Sequence, residues 1–142
     1  MGRFNKPITS FKNRTVLVVG ASSGIGFEIS KELRFLDKKL IVVARRVDIF
    51  EKHFPQNTFM ETDIADDNSI DNFFEVIEKE GLGIDTVFWC AAIYTPMSYV
   101  DFSYEEAQKI THINLTSIYK PFRTITQKLS LIHISEPTRP LY

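Results

Sequence analysis

The feature that most constrains this chain is a short apolar run, Val16-Leu17-Val18-Val19, that opens directly onto Gly20-Ala21-Ser22-Ser23-Gly24-Ile25-Gly26. A continuous apolar run of that length, rich in valine, reads as a strand buried on both faces. Beyond the glycines, Ile25, Ile29, Leu33 and Leu36 recur at helical spacing, while Glu28, Lys31, Glu32 and Arg34 fall on the opposite side. A strand therefore passes into a helix through a turn made almost wholly of small residues. Such a turn leaves the helix's first N–H groups bare and lets an anion come close to the main chain, which suits a pyrophosphate. On this reading Gly20 permits the tight bend, Gly24 removes an obstruction, Gly26 lets the helix pack closely, and Ser22, Ser23 and Ile25 complete the cradle. Glycines that serve packing alone are the competing explanation.

The same alternation continues downstream. Strands are predicted at 15–19, 40–44, 58–62 and 86–90, separated by amphipathic stretches. Ile70, Phe73, Phe74 and Ile77 form one helical stripe, with Asp66 and Asp67 near its start and Gly81 past its end. Another helix is expected to carry Leu115, Ile118, Phe122 and Ile125, kinked at Pro121. A short helix at 47–54 is a weaker expectation. The fold class is α/β, a doubly wound (Rossmann) parallel sheet of order 3-2-1-4 that is incomplete, with later strands missing. In that order the fourth strand is an edge bearing Val87 and Phe88, and a poorly soluble or partly unfolded fragment is expected.

Composition narrows the classes of function. With 17 basic and 18 acidic residues the net charge is -1, and no basic cluster marks a nucleic-acid surface. No apolar run is long enough to span a bilayer, the opening residues lack a signal-peptide core, and the lone Cys90 cannot form an internal disulfide. A soluble, cytoplasmic protein with no membrane or nucleic-acid partner is expected. His53 and His112 lack metal-ligand spacing with Cys90 or each other, so no metal site is expected.

The second strand ends Val43-Ala44-Arg45-Arg46. An acid accepting from an adenosine ribose would be placed there in an NAD site, whereas two guanidiniums suit a 2′-phosphate. Solvated surface arginines are the bland alternative. Asp63 and Ile64 follow the third strand, and Cys90-Ala91-Ala92 the fourth.

Taken together, these motifs resemble the short-chain dehydrogenase/reductase family from about Thr15 to Lys128. The resemblance implies an oxidoreductase that moves hydride between NADPH and a small carbonyl or alcohol substrate, with NADP as cofactor and a homo-oligomeric parent. It places Asp63 against the adenine amino group, although a capping or loop aspartate explains the spacing as well. Where the family commonly shows Asn-Asn-Ala-Gly, this chain has Trp89-Cys90-Ala91-Ala92, and Val19 replaces the threonine that usually precedes the first glycine. Apolar packing of Val19 near Cys90 is the expected substitute for the lost polar link. Tyr94, Tyr99 and Phe102 either border a substrate cleft or pack a loop.

Of the family's catalytic Asn, Ser, Tyr and Lys, the resemblance assigns only Asn114. The chain contains no Tyr-x-x-x-Lys; Tyr119 is followed four positions later by Arg123, which cannot take the place of a lysine. The implied enzyme is therefore inactive as this chain. A non-catalytic NADP-binding or sensing protein is the alternative, and a purely structural α/β module a second. Residues 129–139 resemble the translation of a transposase-type sequencing adapter. Residues 1–128 are thus expected to be an NADP-binding Rossmann half-domain and 129–142 a non-native tail, with no function for His133 or Ser135. A fifth strand in that tail would place Ser135 only 21 positions after Asn114, too close for the family.

Overall fold

The computed structural model describes residues 15–35, 39–46, 48–49, 58–96 and 98–128. Leu36, most of the expected 47–54 helix, His53 and the segment 129–142 lie outside the described residues. Among the described residues four strands form: β1 (Val16–Val19), β2 (Leu40–Ala44), β3 (Thr58–Glu61) and β4 (Thr86–Trp89). They pair in parallel in the order β3-β2-β1-β4, as the alternating pattern predicts. Val16 stands opposite Leu40 and Thr86, and Val19 opposite Val43 and Trp89. β1 is thus flanked on both sides, and the chain direction switches between β1 and β4. Clefts open at the carboxyl ends of the strands at such a point.

Helices cover both faces of the sheet. One face carries Val16, Val18, Leu40 and Val42 and packs against α1 (Gly24–Leu33) through Leu33, Phe27 and Ile29. The other carries Leu17, Val19, Ile41 and Val43. It packs against Ile70, Phe73, Phe74 and Ile77 of α2 (Asp67–Lys79) and Ile125 of a later helix. Every member of the α2 stripe read from sequence is buried. At its start the Asp66 carboxylate accepts from the Asn68 and Ser69 N–H groups, and Gly81 beyond its end adopts φ +61°.

α1 departs from its predicted stripe. Ile25 is 75 % exposed, and the buried positions are Gly26, Ser30 and Leu33. The helix lies so close to the preceding turn that its inward face must begin with a residue lacking a side chain. Ser30 then satisfies itself by donating to the Gly26 carbonyl at 2.8 Å.

The last predicted helix is two helices, α3 (Tyr104–Asn114) and α4 (Tyr119–Lys128), joined by a 3-10 turn at Thr116–Ile118. Proline cannot donate to the carbonyl four residues earlier. The chain breaks ahead of Pro121 and restarts so that the ring falls in the first turn of α4. The break rotates the inward face onto Ile113, Ser117, Pro121 and Ile125, and leaves Leu115 65 % and Phe122 41 % exposed. The sequence pattern places both on the buried stripe. The β4 edge is half-buried, with Val87 against one apolar cluster and Phe88 against the other.

α4 is tied to α2 by Lys120, whose ammonium donates to Asp71 at 2.8 Å and to the Asp67 carbonyl at 3.3 Å. The hydrogen bond to Asp71 raises the Lys120 pKa. A raised lysine contributes stability fully below its unfolded value and loses it as pH rises through the folded one. Lys120→Met is therefore expected to lower stability at neutral pH, with the difference from the parent chain fading from about pH 10 upward, as pH-resolved urea melts will reveal. In the same assay Ile77→Ala should lose about 2–5 kcal/mol. Ile25→Ala should stay within about 0.5 kcal/mol, an ordering that the bare hydrophobic pattern does not give.

Candidate functional site

The carboxyl ends of the strands frame an open cleft of about 700 Å³, its solvent-facing mouth included. Its floor is the glycine turn. Gly20 adopts φ +80° and Gly24 φ +57°, a region that disfavours side chains. A methyl group built on Gly20 would lie 2.4 Å from the Ala91 main-chain nitrogen, and one on Gly26 would lie 2.5 Å from the Gly20 carbonyl oxygen. Among the described residues nothing lies within 4 Å of the corresponding point at Gly24. Gly20 thus admits the end of β4 as well as the bend, a role the spacing alone does not reveal. Gly26 packs on the turn itself.

Helix starts differ across the molecule. Asp66 caps α2 and Ser103 caps α3 with side-chain hydrogen bonds, and acids follow in both first turns. Ser23, at the N-cap of α1, makes no such bond, and the first turn of α1 holds no acid. The amides at this one cleft-facing helix start are left to a ligand or to water.

Gly20, Ser22, Ser23, Arg45, Arg46, Asp63, Ile64, Cys90, Ala91 and Ala92, all singled out from sequence, line the cleft together. Gly24 and Ile25 are exposed in the adjoining first turn of α1, and Gly26 is buried beneath it. Arg45 and Arg46 are exposed where β2 ends. Asp63 accepts from the Ala65 N–H at 3.0 Å, so its carboxylate shapes its own loop while also facing the cleft. Burial pushes the Cys90 thiol up, which keeps it uncharged and a poor nucleophile. Among the described residues no group of three or more His, Cys, Asp or Glu is placed to hold a metal ion, and no helix is long and apolar enough to cross a membrane.

Val43, Ala44, Thr62, Ile93 and Ile113 also line the cleft but were not anticipated. Val43 and Ala44 read as buried strand, and Ile113 as a spacer beside Asn114. Their adjacency to marked residues was the available signal. Asn114 itself does not line the cleft. Its side-chain amide pairs with the main chain of Ile93, accepting from the N–H and donating to the carbonyl, both at 2.8 Å. Tyr94 is 85 % exposed and stands outside the lining.

Val19 packs on the face that carries Trp89 and Ala91, not against Cys90 as expected. Its link to Cys90 runs through the main chain, with the Cys90 N–H donating to the Val19 carbonyl at 2.8 Å.

Comparison with known proteins agrees with this fold. A protein described as "Dehydrogenase/reductase SDR family protein 7-like" from Dictyostelium discoideum is 51 % identical over 47 residues, 33 % of this chain and 15 % of its own length. An uncharacterised oxidoreductase of Saccharomyces cerevisiae is 28 % identical over 128 residues, covering 89 % of this chain and 41 % of that protein. Among solved structures, a 4-hydroxyisoleucine dehydrogenase complexed with NADH superposes with a TM-score of 0.73 at 20 % identity, over 82 % of this chain and 49 % of that one. The chain thus spans less than half the length of the relatives it matches. A family model described as short chain dehydrogenase matches residues 14–134, so the chain belongs to the short chain dehydrogenase family.

Proposed function

We propose that this chain is the NADP-binding half of an oxidoreductase that moves hydride between NADPH and a small carbonyl or alcohol substrate. The observation that carries the reading is the uncapped, acid-free start of α1 at the floor of the cleft, beside helices whose own starts are closed by Asp66 and Ser103. A diphosphate is the ligand chemistry that such a start accepts. The open space above Gly24 leaves room for it, and the exposed Ile25 offers an apolar wall beside it. Arg45 and Arg46 stand where β2 ends and supply two forked, permanently charged donors for a 2′-phosphate. Asp63 and Ile64 flank the adenosine side, and Cys90, Ala91 and Ala92 border the remainder of the dinucleotide. The nicotinamide supplies hydride when bound; the residues named here bind and orient.

Asn114 holds the loop after β4 through Ile93, so its contribution to the reaction is one of positioning. With no Tyr-x-x-x-Lys in its sequence, the chain binds cofactor without turnover. A non-catalytic NADP sensor is the second reading, favoured by the loss of the family's asparagines from the stretch Trp89-Cys90-Ala91-Ala92. Exposed Leu115, Tyr119 and Phe122, side by side around the start of α4, support a homo-oligomeric parent.

Calorimetric titration should give tighter binding of NADPH than of NADH. Replacing Arg45 and Arg46 together by serine should weaken NADPH roughly 10- to 100-fold, the equivalent of about 1.5–3 kcal/mol of charge-assisted hydrogen bonding, and change NADH far less. Equal affinity of the parent chain for both cofactors overturns the NADP preference, and binding of neither overturns the site. With NADPH and simple aldehydes or ketones, the chain should consume cofactor no faster than buffer does.

A further inference from the structure

The last turn of α3 touches two cleft loops at once. Asn114 grips Ile93 after β4, and two residues earlier His112 reaches the loop after β3, its Nε2 lying 3.3 Å from the Ala65 carbonyl oxygen. A carbonyl only accepts, so the Nε2 position carries the proton in this contact. With the proton on Nε2, the other ring nitrogen, Nδ1, accepts from the Thr116 hydroxyl at 3.0 Å. The imidazole is held at both ends: one on the 3-10 turn that follows α3, the other on a loop 47 positions earlier in the chain.

That loop has its own internal bonds. The Asp63 N–H donates to the Ser69 hydroxyl at 3.0 Å, the Asp66 N–H to the Asp63 carbonyl at 3.1 Å, and the Ala65 N–H to the Asp63 carboxylate at 3.0 Å. All of these stay within the loop and α2. His112 adds a tie from α3, and it does so at Ala65, the residue whose N–H orients the Asp63 carboxylate at the edge of the cleft. We infer that His112 is a positioning residue for cofactor binding: it clasps the Asp63–Ala65 loop to α3 and so fixes the wall on which the adenosine end rests. This rests on the dinucleotide reading above. The imidazole reaches the ligand only through the Ala65 peptide, by setting where Asp63 and Ile64 stand.

The test is calorimetry with adenosine 2′,5′-bisphosphate, which carries the adenosine end of the proposed ligand and none of the nicotinamide. In the 142-residue chain, His112→Ala should weaken its binding by roughly five- to ten-fold, about 1–1.4 kcal/mol by the affinity relation. His112→Gln, which keeps a donor near the Nε2 position, should stay within about two-fold of the parent. Lys120→Met loosens the fold at the α2–α4 contact while leaving Asp63, Ile64 and Ala65 their own bonds, and should also stay within about two-fold. Should His112→Ala fail to fold, Thr116→Val removes the partner of the ring's other nitrogen and should weaken binding by roughly two- to three-fold. Failure of the parent chain to bind the bisphosphate overturns the NADP reading on which this inference rests, and this inference with it. Binding by the parent with His112→Ala unchanged, or with His112→Ala and Lys120→Met weakened alike, overturns the role of His112 and leaves the cofactor site standing.

Discussion

Three pieces of main chain meet at Gly20 with no side chain between them. The end of β4 arrives at Ala91, the first turn of α1 arrives at Gly26, and both come nearer than any Cβ would allow. The turn is also stitched to β2, because the Gly20 and Ala21 N–H groups both donate to the Val43 carbonyl, at 2.9 and 3.3 Å. β1, β2, β4 and α1 therefore converge on a few residues whose backbone alone makes the contacts. A single methyl group at Gly20 or Gly26 would force apart elements that together bound the cleft. The same closeness decides which side of α1 faces the sheet, and hence why Ile25 is turned outward.

Electrostatics at the helix starts follow from that packing. α2 and α3 begin in loops with room for an Asp or Ser side chain to fold back on the first amides, and acids in their first turns suit the positive end of the helix dipole. α1 begins with two glycines in three residues and an extended Ser23, so it has neither a closing side chain nor an acid. The partial positive charge of its start is left facing the cleft. Arg45 and Arg46 lie along that same cleft, and among the described residues the one carboxylate in its lining is Asp63, which is occupied with its own loop. The result is a rim whose field and free donors favour an anion, produced by the steric demand of the turn.

Legibility in the sequence follows how local each signal is. β1 and β2 are buried on both faces, so their apolar runs are unbroken and their bounds come within a residue of the prediction. The stripe of α2 is equally plain, because an isolated helix packing on a sheet obeys its own period. The approach fails where something outside the helix chooses its face. Ile25 has the right spacing for burial, yet the Gly20–Gly26 contact turns the helix away from it. Leu115 and Phe122 fit a continuous helix, but the break ahead of Pro121 changes the phase between them. In the cleft, residues marked by unusual chemistry, the glycines, arginines and Asp63, were readable. Val43, Ala44 and Ile113 line it through topology, and no property of the residue itself announces that.

The departures at Val19 and Cys90 show how a polar link can vanish without leaving a gap. Side chains of opposite parity on neighbouring parallel strands lie on opposite faces of the sheet, so Val19 and Cys90 are not placed to pack as a pair. What joins the two strand ends is the main-chain bond from Cys90 to Val19, which needs no particular side chain. Val19 is then free to join Trp89 and Ala91 in the apolar layer beneath α4, where the Trp89 ring meets Phe122 edge-on at 6.3 Å. The cost appears elsewhere: Trp89 Nε1 is buried with no hydrogen-bond partner among the described residues. An unmet indole N–H of that kind disfavours the folded state by about 1–3 kcal/mol. The large ring is therefore held here by its packing against α4, and β4 and α4 are coupled through an apolar contact.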